Sequence, residues 1–190
     1  DGGFSDYFYL RPNHFVFKVP DELPDSAVTP VNCAVSQVVY AIRKSGMRMG
    51  DSVVVQGAGG LGLNAIAAAK EAGAGQVIAI DGLANRLSLA VQCGADETIN
   101  IGEIETPDER VNAVRRLTEG RGADVVVEVV GFPQVVPEGI EMLRNGGTFV
   151  EVGNIWPESN VTLDLSKLLM RGKSIITTAH YDPYILPVAL

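Results

Sequence analysis

The chain alternates between short apolar runs rich in β-branched residues and longer stretches with helical periodicity. Runs of the first kind lie at residues 52–56, 76–80, 97–100, 124–129, 147–152 and 173–178. Stretches of the second kind lie at residues 61–72, 83–93, 108–118, 133–143 and, more weakly, from about 182. Regular alternation of this kind is typical of a parallel sheet covered by helices on both faces. The pattern predicts an α/β fold, a Rossmann-type doubly wound parallel six-stranded sheet with strand order 3-2-1-4-5-6.

The N-terminal part of the chain does not share this alternation. Aromatic and apolar residues alternate loosely over residues 4–19, which predicts one or two strands of a β-rich unit. Four prolines in residues 11–30 indicate a connector, and residues 31–45 are predicted to be helical. We therefore expect residues 1–30 to be the remnant and connector of another domain and residues 31–190 to be a nucleotide-binding domain. The chain starts without methionine and ends in an apolar run, so we expect a piece of a longer polypeptide.

Composition narrows the possible partners and the compartment. The 190 residues carry a formal net charge of −8, which argues against a nucleic-acid or anionic-membrane surface. No apolar run approaches the roughly 20 residues that a membrane-spanning helix needs, and no signal peptide is visible. Two cysteines in a chain of this size favour a reducing compartment, so we expect a cytoplasmic protein.

A glycine-rich turn follows the first strand of the alternating region. Gly57, Gly59 and Gly62 fit the spacing G-x-G-x-x-G, with Gly60 and Leu61 between them, and a helix-forming run follows. An acidic residue, Asp81, ends the next strand. This combination is the fingerprint of a dinucleotide-binding site, in which the glycines permit a tight turn and a close approach of the pyrophosphate to the backbone. The alternative is an ordinary strand–turn–helix connection whose glycines serve steric needs only.

The charged residues after the second strand bear on the choice of cofactor. A carboxylate at Asp81 can accept hydrogen bonds from ribose hydroxyls and would repel a 2′-phosphate, so it favours NAD over NADP. The alternative is a solvated aspartate in a turn. Arg86 could flank the adenine end of the cofactor or be an ordinary surface residue.

Two further turns follow the fourth and fifth strands. Val130 and Gly131 follow the fourth strand, and Val152, Gly153 and Asn154 follow the fifth. Ligands of doubly wound sheets bind beyond the carboxyl ends of the strands, so both turns are candidates for contact with the cofactor. Each glycine could equally be a plain break between strand and loop.

Several short motifs together resemble the medium-chain dehydrogenase/reductase family, in particular its zinc-dependent alcohol and polyol dehydrogenases. The residues that carry the resemblance are Gly2-Gly3-Phe4-Ser5-Asp6-Tyr7, Met49-Gly50-Asp51-Ser52-Val53 with the glycine turn, Cys93-Gly94-Ala95-Asp96, Gly122-Ala123-Asp124 with Glu128-Val129-Val130-Gly131, and Gly146-Gly147-Thr148-Phe149-Val150 with Val152-Gly153. The resemblance spans nearly the whole chain. It implies that residues 1–30 come from a GroES-like catalytic domain.

The resemblance also implies roles that the residues alone do not. Cys33, which by itself is more often a small buried residue, stands where zinc-dependent members have a ligand of the catalytic zinc. The other ligands and the proton relay are expected in the catalytic domain that this chain lacks. Val152, Asn154, Thr178 and His180 are expected near the nicotinamide. In the family, zinc holds the substrate alcohol as alkoxide, and the carbinol carbon gives a hydride to NAD.

Some features depart from the family pattern and leave alternatives open. Gln37 stands where members often have threonine, and the loop at residues 154–157 matches no member, so the substrate stays open. Zinc-free NADPH-dependent quinone or enoyl reductases and a non-catalytic nucleotide-binding module are the competing hypotheses. The family pairs the last strands of two cofactor domains, so we expect a homodimer or tetramer through residues 165–176.

Overall fold

The computed structural model describes residues 4–190, which contain one six-stranded parallel sheet. The strand order is β3-β2-β1-β4-β5-β6, as the sequence predicts. The strands are β1 (Ser52–Gln56), β2 (Gln76–Asp81), β3 (Glu97–Asn100), β4 (Ala123–Glu128), β5 (Leu143–Glu151) and β6 (Ser174–Thr177). The order reverses between β1 and β4, so the topological switch point lies at the carboxyl ends of these two strands.

Helices cover both faces of the sheet. They are α1 (Asp25–Val28), α2 (Ser36–Ser45), α3 (Gly60–Glu71), α4 (Ala84–Gln92), α5 (Pro107–Leu117), α6 (Val135–Met142), α7 (Leu165–Arg171) and α8 (Leu186–Ala189), with a π-helical turn at Val31–Val35 and a 3-10 turn at Pro183–Ile185. The core side chains of α2, α3 and α4 pack on one face, and those of α5 and α6 pack on the other.

The central strands explain the near-continuous apolar runs of the sequence. In β1, Val53 and Val55 join the core on one face, while Val54 joins the core on the other. In β4, Val125 and Val127 alternate with Val126 in the same way. A strand buried on both faces needs apolar residues at every position rather than at every second one.

The structure differs from the sequence prediction at several elements. Residues 4–19 form no strand, and most of their aromatic side chains are exposed. A strand requires a hydrogen-bonded neighbour, and the described residues supply none for this segment. Gly2 and Gly3 lie outside the described residues.

Residues 165–176, expected as the edge strand, divide into α7 and β6. Asp164 begins α7 because its carboxylate accepts from the backbone N–H groups of Ser166 and Lys167, and Gly172 ends it in the left-handed conformation. Strand β5 begins at Leu143, four residues before the predicted start at residue 147, and has an irregular register there. Among residues 4–190, no helix combines the length and the apolar character needed to cross a membrane.

Candidate functional site

The glycine turn after β1 is shaped by two glycines that no other residue could replace without movement. Gly57 has φ +95°, and its N–H donates a 2.8 Å hydrogen bond to the carbonyl of Ile80 in β2. A Cβ atom on Gly62 would lie 1.8 Å from the carbonyl oxygen of Gly57. The first turn of α3 therefore packs directly on the end of β1. This is the close helix–strand contact that the third glycine of the motif provides.

The N-terminus of α3 faces open space. Gly59 is its N-cap residue, no side chain caps the helix, and the first turn carries no acidic residue. A Cβ atom on Gly59 or Gly60 would meet no atom within 4 Å. The first N–H groups of a helix have no intrahelical acceptor, and the helix dipole is positive at this end. The open cradle over Gly59, Gly60, Leu61 and Gly62 therefore fits a pyrophosphate group.

Asp81 is joined to this turn by hydrogen bonds. Its Oδ2 accepts from the backbone N–H of Ala58 at 2.8 Å, and its Oδ1 accepts from Leu83 N–H at 2.9 Å. The Nη1 atom of the half-exposed Arg86 lies 3.7 Å from Oδ2. The Asp81 side chain is only 8% exposed, so its carboxylate is held rigidly at the end of β2. A carboxylate has about four acceptor positions, so capacity remains for ligand hydroxyls.

A cavity of about 310 Å³ opens between the glycine turn and the residues that follow β4. Its lining includes Gly57, Gly59, Asp81, Arg86, Val130 and Phe132. Arg110 and Glu138 also line it, and they form a bidentate ion pair with Nε–Oε1 and Nη2–Oε2 distances of 2.7 and 2.8 Å. This pair joins α5 to α6 at the wall of the cavity.

On the other side of the switch point, a buried carboxyl group holds the next two turns. Glu128, at the end of β4, is fully buried. Its Oε1 accepts from the backbone N–H groups of Val130 and Gly131, and its Oε2 accepts from Gly153 N–H. The N–H of the buried Val152 donates to the Glu128 carbonyl at 3.1 Å. The turns after β4 and β5 are therefore bonded to the same residue.

A second carboxyl group lies beside the first. Glu151 pairs with Glu128 across β5 and β4, and its Oε1 accepts from the backbone N–H of Asn154 at 2.8 Å. Burial, together with the hydrogen bond and the charge of Glu151, raises the pKa of Glu128 to about 7. The Glu128 carboxyl group is therefore about half-protonated at neutral pH.

The helix that carries Cys33 contacts the end of β6. Cys33 is exposed in the middle of the π-helical turn. Gln37 Nε2 donates to the carbonyl of Thr178 at 2.7 Å, and Thr178 Oγ1 donates to the carbonyl of His180 at 3.0 Å. Burial, and then the charge of the nearby Cys33, raises the pKa of Tyr181. These contacts bring Cys33, Thr178 and the exposed His180 to one place.

The predicted site residues thus lie at the carboxyl-terminal ends of the strands. The N–H of Thr178 donates to the carbonyl of Glu151 at 3.0 Å, which connects the Cys33 region to the turns held by Glu128. Val130 connects those turns to the cavity, because its Cγ2 would be 3.0 Å from a Cβ atom on Gly57. All of these residues follow or flank the carboxyl ends of parallel strands, where doubly wound folds bind ligands.

A complete zinc site does not lie within the described residues. Residues 4–190 bring no three histidine, cysteine, aspartate or glutamate side chains together in a group that could hold a metal ion. Catalytic zinc takes three protein ligands. Cys33 can supply one thiolate, so the described residues alone do not fit the metal.

Sequence reasoning missed Glu128, Glu151 and the contact made by Gln37. The available signal was Glu128 itself, a single acid in the apolar run from Val125 to Val130. A carboxyl group in a strand buried on both faces must have hydrogen-bond partners, and the glycines that follow the strand supply backbone N–H groups without obstruction.

Fold and turn geometry together define a dinucleotide-binding domain of the Rossmann class. The family model described as zinc-binding dehydrogenase matches residues 60–190, and the chain belongs to that family.

Known proteins resemble the chain over nearly its whole length. It is 35% identical over 192 residues to the erythritol/L-threitol dehydrogenase of Mycolicibacterium smegmatis, covering 100% of this chain and 50% of that protein. It is 38% identical over 175 residues to the L-threonine 3-dehydrogenase of Bacillus subtilis, covering 92% of this chain and 48% of that protein. The structure of an alcohol dehydrogenase from Thermotoga maritima superposes with a TM-score of 0.86 at 31% identity, covering 91% of this chain and 48% of the other. The chain spans about half the length of the curated relatives it matches.

Proposed function

We propose that the chain is the NAD-binding domain of a zinc-type alcohol dehydrogenase, which transfers a hydride between an alcohol or carbonyl substrate and NAD(H). The observation that carries the proposal is the open glycine cradle at the N-terminus of α3, bonded through Ala58 N–H to the carboxylate of Asp81. Bound NAD would supply the hydride acceptor, while the protein supplies position and electrostatics. The names of the relatives support a small alcohol as the substrate.

Each part of the cofactor has a proposed place at the carboxyl-terminal ends of the strands. The pyrophosphate would lie on the N–H groups of the cradle, and the adenosine ribose would donate its hydroxyls to Asp81. The other half would cross the switch point to the turns after β4 and β5. The residues proposed to meet that half are Val130, Gly131, Val152, Gly153, Asn154, Thr178 and His180.

The charge of Asp81 supports a preference for NAD over NADP. A 2′-phosphate would approach a carboxylate that is already fixed by two backbone N–H groups and cannot rotate away. Arg86 lies beside the same carboxylate and would flank the adenine end. The repulsion is therefore not relieved by movement of Asp81, and we expect tighter binding of NAD.

Calorimetric titration of the 190-residue chain with NAD and with NADP tests the proposal. We expect measurable binding of NAD, weaker binding of NADP, and no oxidation of alcohols by this chain alone. Equal binding of the two cofactors, or stronger binding of NADP, would favour a zinc-free NADPH-dependent reductase. If neither cofactor binds, the proposal as a whole is contradicted. Alcohol oxidation by this chain would contradict the proposal that a second domain is needed for catalysis.

We further propose that Cys33 is one thiolate ligand of a zinc ion whose other ligands come from another part of the protein. Its exposure and its place in a π-helical turn support this role, because such turns are frequent at functional sites. Metal analysis of the longer protein, with Cys33→Ser compared with Cys93→Ser, tests it. We expect loss of zinc only in the first variant, because Cys93 is half-buried against the core. Zinc retained in Cys33→Ser would contradict the assignment.

The domain division proposed is residues 1–30 as part of a catalytic domain and residues 31–190 as the cofactor domain. The separate character of residues 4–19, which lie outside the sheet, supports it.

We also propose that two copies associate through α7 and β6. Within residues 4–190, β6 pairs with β5 on one side only, and this open edge and the exposed apolar side chains of α7 support this surface.

A further inference from the structure

Glu128 is a carboxyl group in the most completely buried part of the sheet. It ends β4, between Gln56 of β1 and Glu151 of β5, and its side chain has no exposure to solvent. Burying a carboxyl group is unfavourable unless its oxygens are hydrogen-bonded. The preceding residues of the strand, Val125, Val126 and Val127, are apolar and buried. Packing of the core therefore does not by itself account for a carboxyl group at the end of this strand.

The hydrogen bonds of Glu128 divide between two separate turns. Oε1 accepts from Val130 N–H at 2.6 Å and from Gly131 N–H at 2.7 Å, both in the turn after β4. Oε2 accepts from Gly153 N–H and from Asn154 Nδ2, each at 3.2 Å, in the turn after β5. One side chain thus bonds both turns, and the backbone carbonyl of Glu128 also accepts from Gly153 N–H at 3.1 Å.

The two turns are also in direct contact, and only glycine permits it. A Cβ atom on Gly131 would lie 2.8 Å from the carbonyl oxygen of Gly153. A Cβ atom on Gly153 would lie 2.6 Å from Glu128 Oε2 and 2.6 Å from Gly131 N. Gly131 has φ +82°, which also favours glycine. Carboxyl group and turns therefore form one closely fitted unit.

This unit stands where the second half of a dinucleotide would lie. Asp81 marks the side of β2, and a dinucleotide crosses the crevice at the switch point between β1 and β4. The turn after β4 also faces Gly57 across the cleft, since Val130 Cγ2 would be 3.0 Å from a Cβ atom there. A shift of this turn would change the width of the cleft.

We propose that Glu128 is a positioning residue that sets the turns after β4 and β5 for the nicotinamide half of the cofactor. The inference rests on the proposed function. Four hydrogen-bond donors face its oxygens, and so does the carboxyl group of Glu151. A glutamine has one accepting oxygen, so its NH₂ group can donate to Glu151 but cannot accept from the donors of the turn that it faces. Glu128→Gln therefore keeps the volume but breaks the bonds to one of the two turns. Glu128→Asp keeps the charge but is one methylene too short to reach both.

The test compares NADH with ADP-ribose, which lacks the nicotinamide. Affinities of the 190-residue chain for both are measured by calorimetry in the unsubstituted protein, Glu128→Gln, Glu128→Asp and Asp124→Asn. Asp124 is the matched control, because it is a buried carboxylate of the same strand that bonds Ser52 N–H at the opposite end. We expect Glu128→Gln to weaken NADH binding about tenfold, the equivalent of one charge-assisted hydrogen bond. Its affinity for ADP-ribose should stay within about twofold.

The control and the second variant keep the outcomes distinct. Asp124→Asn should lower the melting temperature and leave the ratio of the two affinities unchanged. Where Glu128→Gln does not fold, Glu128→Asp makes the same test with the same expected loss for NADH. Three results would overturn the positioning role and leave the proposed cofactor site unaffected. They are an equal loss of affinity for NADH and ADP-ribose in the variant, no loss of affinity for either ligand, and equal affinity of the unsubstituted chain for both. Binding of neither ligand by the unsubstituted chain would overturn the proposed function itself.

Discussion

The backbone N–H of Ala58 donates a 2.8 Å hydrogen bond to Oδ2 of Asp81. This bond joins the middle of the glycine turn to the end of the neighbouring strand. The carboxylate therefore holds the turn in place, and its remaining acceptor positions face the cavity. A substitution at Asp81 changes both the turn and the hydrogen bonds available to a ligand.

We expect Asp81→Asn to weaken NAD binding and to reduce the discrimination against NADP. An asparagine can accept through one oxygen only, so it keeps one of the bonds to Ala58 and Leu83 and loses the charge that repels a 2′-phosphate. A hydrogen bond to a charged group contributes about 1.5–3 kcal/mol, which corresponds to a loss of roughly 10- to 100-fold in NAD affinity. Calorimetric titration with both cofactors measures it.

The control for this prediction is Asp96→Asn. Asp96 Oδ2 likewise accepts from a backbone N–H, that of Val77, but at the amino-terminal end of β2 and away from the cavity. It should leave both affinities unchanged. An unchanged ratio of NAD to NADP affinity in Asp81→Asn would show that Asp81 does not select the cofactor.

Substitution of two glycines of the turn should affect different properties, stability in one case and NAD affinity in the other. Gly62→Ala would place Cβ 1.8 Å from the Gly57 carbonyl oxygen, so we expect a loss of about 3 kcal/mol or more in the free energy of unfolding. Gly59→Ala meets nothing within 4 Å, so the variant should fold with nearly unchanged stability while its methyl group occupies the proposed phosphate cradle. Urea unfolding and NAD titration measure the two effects. Full NAD affinity in Gly59→Ala would exclude the cradle as the phosphate site.

The buried carboxyl group of Glu128 should make stability depend on pH in a defined window. The pKa of Glu128 is raised from its ordinary 4.5 to about 7, so the folded state binds more protons than the unfolded state between these values. Its contribution to the free energy of unfolding is fully present below pH 4.5 and is lost as the pH rises through 7. The loss is at most about 3 kcal/mol. The raised pKa thus destabilises the folded protein at alkaline pH.

Glu128→Gln should remove this dependence. Urea unfolding at pH 5 and pH 8 should show a smaller decrease in stability with rising pH in the variant than in the unsubstituted chain. Asp124 is a suitable comparison. Burial alone would raise its pKa, but the bonds from Ser52 and Arg144 hold it below its usual value, so it titrates outside this window. Parallel pH profiles for Glu128→Gln and the unsubstituted chain would mean that Glu128 does not titrate there.

The fold and half of the candidate site follow from patterns that are local in the sequence. The alternation of runs gave the six strands and their order, and the spacing from Gly57 to Asp81 predicted two elements that the structure joins through Ala58. The single acid in the apolar run marks Glu128, but its hydrogen-bond partners could not be predicted, because they come from turns whose contact depends on sheet register. Residues 4–19 were wrongly assigned to strands because alternation alone does not supply a neighbouring strand.

The last prediction concerns self-association through α7 and β6. Leu165, Leu169 and Met170 are 75%, 79% and 83% exposed on α7, and β6 pairs only with β5, so its other edge is free in the described sheet. Exposed apolar side chains beside an open strand edge are typical of an interface. We expect sedimentation equilibrium to show a dimer, and Leu169→Asp to shift it to monomer. Leu89→Asp on α4, also an exposed leucine, is the control and should stay dimeric. A monomer in the unsubstituted chain at all concentrations, or a dimer that survives Leu169→Asp, would place any interface elsewhere.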